Sequence, residues 1–206
     1  MAALIDFQIP NQSFEWIQYN VVRILALELQ NQIDLRGDTT KAKVFSERFA
    51  KIDVVDVPCV NVTFNGGPYD DQDVTVARGT YTYNIDLYTD SKSFVSGNER
   101  ADQLAMASLQ VGLGWIRAIL QNAQYITLGF TDGRVRRRQV KSIQIATPEQ
   151  HLDAQSIVMG RIVLEVVAPE VEGLIDTPVV ISSLDTVMKL HDTEKGYYFI
   201  SGDKPT

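Results

Sequence analysis

Between Ser13 and Asn31 apolar side chains return every three or four positions: Phe14, Ile17, Val21, Ile24, Leu25 and Leu29. That spacing lines them along one stripe of an α-helix, with Gln18, Asn20, Arg23, Glu28 and Gln30 on the other face. Ser13 is the expected N-cap, and Glu15 falls in the first turn, where the helix dipole favours an anion. The run Asp34-Leu35-Arg36-Gly37-Asp38 reads as the turn that ends it. A second helix is predicted from about Asn98 to Asn122, opened by a capping box of Ser96 and Glu99. Its expected stripe is Ala101, Leu104, Ala105, Ser108, Val111, Gly112, Trp115 and Ile119. Gly112 and Gly114 each cost about 1 kcal/mol relative to alanine inside a helix, which points either to a close approach or kink there or to simple tolerance.

Elsewhere the period changes from helical to alternating. Strands are predicted over about Lys43 to Phe49 and over Cys59 to Phe64, where Val60, Val62 and Phe64 alternate with Asn61 and Thr63. Pro58 marks the entry to the second of these, and Asn65-Gly66-Gly67-Pro68 closes it. Tyr81, Tyr83, Ile85 and Leu87 alternate with threonine, asparagine and aspartate in the clearest strand of the chain. Tyr125 to Phe130 and Val135 to Ile145 read as a hairpin about Asp132-Gly133, the pair a type I′ turn prefers. From Ser156 to Ala168 both faces are apolar, as in a central strand covered on both sides.

The fold class this predicts is α+β: a mostly antiparallel sheet packed against two long amphipathic helices. Residues 1–169 form the domain. Residues 170–206 differ, holding only short apolar pieces (Val179-Val180-Ile181 and Tyr197-Tyr198-Phe199-Ile200) between turns. They are expected to be a β-rich extension or arm, too small to fold alone, which either completes the sheet or reaches a neighbouring subunit.

Composition narrows the chemistry. The 206 residues suffice to bury a core without a metal or disulfide staple, and Cys59, the single cysteine, lies in an apolar setting and excludes an intrachain disulfide. The start lacks a basic region and a long apolar run, so no signal peptide is expected, nor is a membrane span. The sequons at Asn11 and Asn61 then have no secretory route to serve. His151 and His191 lie in polar stretches without ligand spacing, and Asp70, Asp71 and Asp73 fail the calcium-loop pattern in both registers. Gly112-Leu113-Gly114 meets Arg117 where a dinucleotide fingerprint needs a third glycine. No catalytic, cofactor-binding or metal-binding residue is predicted, and no enzyme.

One charged feature stands apart. Arg134, Arg136, Arg137, Arg138 and Lys141 are the candidate protein-interface residues, and strand geometry would aim Arg134, Arg136 and Arg138 to one face. Such a row can serve as a solvated edge that blocks unwanted pairing, as a contact for carboxylates of a neighbouring copy, or as a contact for phosphate. The net charge of −7 disfavours wrapping a nucleic acid.

The order of elements carries the resemblance. A leading amphipathic helix precedes Val57-Pro58-Cys59-Val60-Asn61-Val62. The strand Tyr81 to Leu87, the long helix, an Asp-Gly hairpin and Met159-Gly160-Arg161-Ile162-Val163-Leu164-Glu165-Val166 follow. Over about residues 13–168 this resembles the tail terminator, or tail completion, proteins of tailed bacteriophages, and more broadly their small neck proteins. The resemblance implies a virion protein assembled in the host cytoplasm, which forms a ring, usually of six copies, that caps the tail tube and joins it to the head. It implies tail-tube and neck or connector partners, genomic DNA passing nearby without specific binding, and no membrane, cofactor or catalytic residue. The segment beyond Pro169 departs from the compact family pattern and leaves open a collar or tube-associated role.

Overall fold

The computed structural model describes residues 11–50, 52, 56–70, 78–90, 101–130, 134–146, 157–169, 186–189 and 198–201. The chain divides into two compact units, Met1–Glu172 and Gly173–Thr206. The first is α+β. It holds α1 (Ser13–Leu35), β1 (Val44–Ser46), β2 (Cys59–Phe64), β3 (Tyr69–Asp70), β4 (Arg78–Thr89), α2 (Ala101–Gln121), β5 (Arg137–Ala146) and β6 (Val158–Pro169). In the second unit β7 (Thr186–Lys189) pairs antiparallel with β8 (Tyr198–Ser201).

The sheet of the first unit is mixed. Its strand order is β1-β2-β4-β6-β5, with the short β3 added beside the start of β4. β1 and β2 run parallel, and every other pairing is antiparallel. β4 and β6 form its spine, paired from Arg78↔Pro169 to Thr89↔Val158.

Side-chain alternation then decides the faces. Val60 and Val62 of β2, Tyr81, Tyr83, Ile85 and Leu87 of β4, and Ile162, Leu164 and Val166 of β6 share one face and are buried. They form a single core with Ile17, Val21, Ile24, Leu25 and Leu29 of α1, the stripe its periodicity predicts. Phe14 stacks on Phe64 with ring centroids 5.0 Å apart, and the Tyr83 hydroxyl donates to the Phe14 carbonyl at 2.8 Å, which pins the start of α1 to the sheet.

Several expectations need correcting. Gln12, not Ser13, is the N-cap of α1, and the Glu15 carboxylate accepts from the Gln12 backbone N–H at 2.7 Å. Gln18 and Asn20, expected on the polar face, are buried. Gln18 compensates by donating to Glu47 at 2.7 Å and to the Ser46 hydroxyl at 3.2 Å. In α2 the buried residues are Ala105, Leu109, Leu113, Ile116, Ile119 and Leu120: Ala105 and Ile119 of the expected stripe are in the core, but Ser108 and Val111 are exposed and Leu109, Leu113, Ile116 and Leu120 take the sheet-facing positions. Gly112 lies where an added Cβ would come within 2.5 Å of the Leu87 side chain, and Gly160 where one would come within 2.6 Å of Leu113. The helix therefore rests close on β4 and β6 at these two glycines. Gly114 has open space around it.

Tyr125 to Phe130 is not a strand. The Asn122 side chain accepts from the Gln124 N–H at 2.9 Å and caps a 3-10 turn, Ala123–Tyr125. The backbone then takes positive φ at Leu128 and Gly129, which an extended strand excludes. Leu128 and Val135 are buried, so this segment plugs the core rather than pairing in the sheet. β5 pairs instead with β6, with a bulge between Val140 and Ser142. The Asp132-Gly133 turn, the Ser96 and Glu99 capping box, Asp71, Asp73, His151 and His191 lie outside the described residues.

Candidate protein-interaction surface

β5 is the last strand in the sheet order, so its outer edge carries no pairing among the described residues. Such an edge is a template for association unless charge or a bulge blunts it, and β5 has both. Its basic residues do not form the single row expected. Arg134 and Arg136 precede the strand, and alternation sends Arg137 and Arg138 to opposite faces.

On the face away from the helices, Arg137 and Lys141 converge on the Glu165 carboxylate at 2.8 and 3.0 Å. On the helix face, one Arg138 guanidinium nitrogen donates to the Asn122 carbonyl at 2.5 Å, while the other, Nη1, is enclosed without an acceptor among the described residues. Burial lowers the pKa of this guanidinium. Arg136 is exposed, and Arg134 lies over the Phe130 ring at 5.8 Å from its centroid. Arg136–Arg138 also wall an open cavity of about 650 Å³ with Leu120, Ile126 and Val135. The cluster is thus a two-faced basic patch at one sheet edge.

The sheet face away from the helices differs from the sequence expectation. β6 is an interior strand, but Met159, Arg161, Val163, Glu165 and Val167 are only half-buried there. Asp86 nonetheless is buried on this face, clamped by Arg161. Asn61, on the same row, exchanges two hydrogen bonds with the Arg48 backbone at 3.0 and 2.9 Å and is buried, so its sequon is inaccessible in this fold.

Two apolar surfaces escaped the sequence reading. On α1, Trp16, Tyr19 and Leu27 are exposed, the first two in edge-to-face contact. Between the end of α1, the start of β2 and the outer side of α2 runs a groove of about 480 Å³. Its signal was present: Val111 and Trp115 belong to the apolar stripe expected of α2 and are not used by the core in the way Leu109 and Leu113 are.

Among the described residues no group of three or more histidine, cysteine, aspartate or glutamate side chains could hold a metal. Cys59 is buried, and desolvation with the nearby Asp56 carboxylate pushes its thiol up to about 11, which keeps it from acting as a nucleophile at neutral pH. One stretch of α2, Gln103–Gln121, is long and apolar enough by length and composition to cross a membrane. Here it lies on β4 and β6, as a core helix does.

No family model and no curated protein matches this chain. The surface itself is left to speak for function: a basic, blunted sheet edge, exposed aromatic and aliphatic side chains, and an apolar groove.

Proposed function

We propose that the chain is a structural subunit of a bacteriophage neck or tail, of the tail terminator type. In this role it builds a ring, six copies in the family it resembles, which caps the tail tube and joins it to the head in the virion. The observation that carries this reading is the β5 edge: ten residues long, unpaired on its outer side among the described residues, and flanked by Arg136, Arg137 and Arg138. On a chain of net charge −7, a basic edge is the natural complement of an acidic surface on the next copy or on the tube below. Ring symmetry requires such a heterologous contact, in which different patches of identical subunits meet. The acidic balance also suits a channel through which genomic DNA slides without being gripped. Residues 170–206 act in this scheme as an arm. A collar or other tube-associated subunit would use the same edge with a different neighbour.

The test is charge reversal at two exposed arginines of this edge, Arg136→Glu with Arg137→Glu. The expected result is a folded chain that fails to form rings or to join tails. Normal rings and normal joining would remove the edge from the interface.

A further inference from the structure

The helix α2 presents more apolar surface than its own core covers. Val111 and Trp115, with Leu29 and Ile33 of α1, line the groove of about 480 Å³. Val111 is 49% exposed. A groove this size is within the range that binds a ligand or buries several side chains. Its mouth is cationic: Arg36, Lys41 and Lys43 surround it, against one carboxylate among the described lining residues, Asp38. Arg36 lies over the Trp115 ring at 4.2 Å from its centroid, so a fixed positive charge stands directly above an apolar wall. The occupant this surface fits is an apolar segment carrying carboxylates and no cations.

The chain contains such a segment. Residues 170–185 carry Glu170, Glu172, Asp176 and Asp185, no lysine, arginine or histidine, and the aliphatic runs Leu174-Ile175 and Val179-Val180-Ile181. The place from which it departs matters as much as its composition. Pro169 pairs with Arg78 at one end of the sheet, whereas Leu87 and Thr89, which line the groove, stand at the other end of β4. The separation along the strand is about 30 Å at roughly 3.3 Å per residue. A donor at one end of a subunit and an acceptor at the opposite end make a head-to-tail contact, the kind that closes a ring or extends a stack.

We infer that residues 170–185 of a second copy fill this groove. Their aliphatic side chains lie against Val111, Trp115 and Leu29, and their carboxylates face Arg36, Lys41 and Lys43. The inference rests on the proposed assembly of copies and adds the segment that links them.

The test uses the full chain and sedimentation velocity. One variant reverses the groove mouth, Arg36→Glu with Lys41→Glu, and a second reverses the segment, Glu170→Lys, Glu172→Lys and Asp176→Lys. Both substituted groove positions are exposed, and circular dichroism checks that each variant is folded. Each variant alone is expected to weaken self-association at least tenfold in Kd, and an equimolar mixture of the two is expected to restore it. If neither variant weakens association, the segment does not occupy the groove, while the ring reading stands. Restoration in a single chain carrying both reversals, but not in the mixture, makes the segment's own chain the acceptor and overturns the second-copy contact. Restoration in neither shows that the two surfaces do not pair. A wild-type chain that stays at 23.0 kDa at every concentration overturns this inference and the assembly reading together.

Discussion

Arg161 of β6 grips Asp86 of β4 through two parallel hydrogen bonds, Nε to Oδ1 at 2.6 Å and Nη2 to Oδ2 at 2.8 Å. The two residues are direct register partners, and Asp86 is only 4% exposed. The bond to Asp86 raises the Arg161 pKa further, so the guanidinium keeps its charge. Removing one partner strands the other. Arg161→Met is expected to destabilise the fold by about 3–5 kcal/mol, because a buried carboxylate loses its compensation. The double change Asp86→Leu, Arg161→Met should recover most of that loss. Urea unfolding of the three variants measures it, and a double variant as weak as the single one would contradict the explanation.

The two glycines of α2 separate a packing role from tolerance. Gly114 is exposed with open space about its Cβ position, so Gly114→Ala should stabilise by up to about 1 kcal/mol through helix propensity alone. At Gly112 the same methyl would drive the Leu87 side chain aside, and overpacking of that kind costs about 1–3 kcal/mol. Gly112→Ala should therefore unfold at a lower denaturant concentration than Gly114→Ala, as a chemical melt of the pair would show.

Cys59 gives a pH signature. Its folded thiol is pushed up to about 11, first by burial and then by the Asp56 carboxylate. The raised value means that the fold favours the protonated thiol. That contribution is complete below about 9, the ordinary value, and is lost as pH rises towards about 11. The ultraviolet absorbance of the Cys59 thiolate should therefore appear with a midpoint near 11 in the native protein. A midpoint near 9 under native conditions would mean that the thiol is not buried as described.

The basic edge should matter little to stability. Arg137 is 60% exposed, and it shares Glu165 with Lys141. Exposed pairs of this kind contribute about 0–1 kcal/mol. Arg137→Ala and Lys141→Ala should each shift the unfolding free energy by less than about 1 kcal/mol. A loss of several kcal/mol would make the cluster part of the fold rather than a surface for partners.

The elements that the sequence makes plain are those with one apolar face and one polar one. The α1 stripe Ile17-Val21-Ile24-Leu25-Leu29 and the alternation in β2 and β4 are of this kind. α2 is apolar around much of its circumference, so two stripes compete. Which of them meets the sheet is decided by Gly112 and Gly160, whose missing side chains let Leu87 and Leu113 fit. Tyr125 to Phe130 alternates like a strand, yet the Asn122 cap and the positive φ of Leu128 and Gly129 impose turns. Gln18 looks like a surface residue because its partners, Ser46 and Glu47, lie far along the chain. The arginine cluster was visible as composition, but its division between two faces depends on where β5 begins, at Arg137.

The central claim is that this polypeptide exists to assemble with copies of itself. Light scattering coupled to size-exclusion chromatography, with electron microscopy of the same fraction, tests it most directly. The account predicts a closed ring with a central hole and a mass six times 23.0 kDa. A particle of one chain's mass at every concentration tried, without a ring on any grid or in any assembled tail, would contradict it.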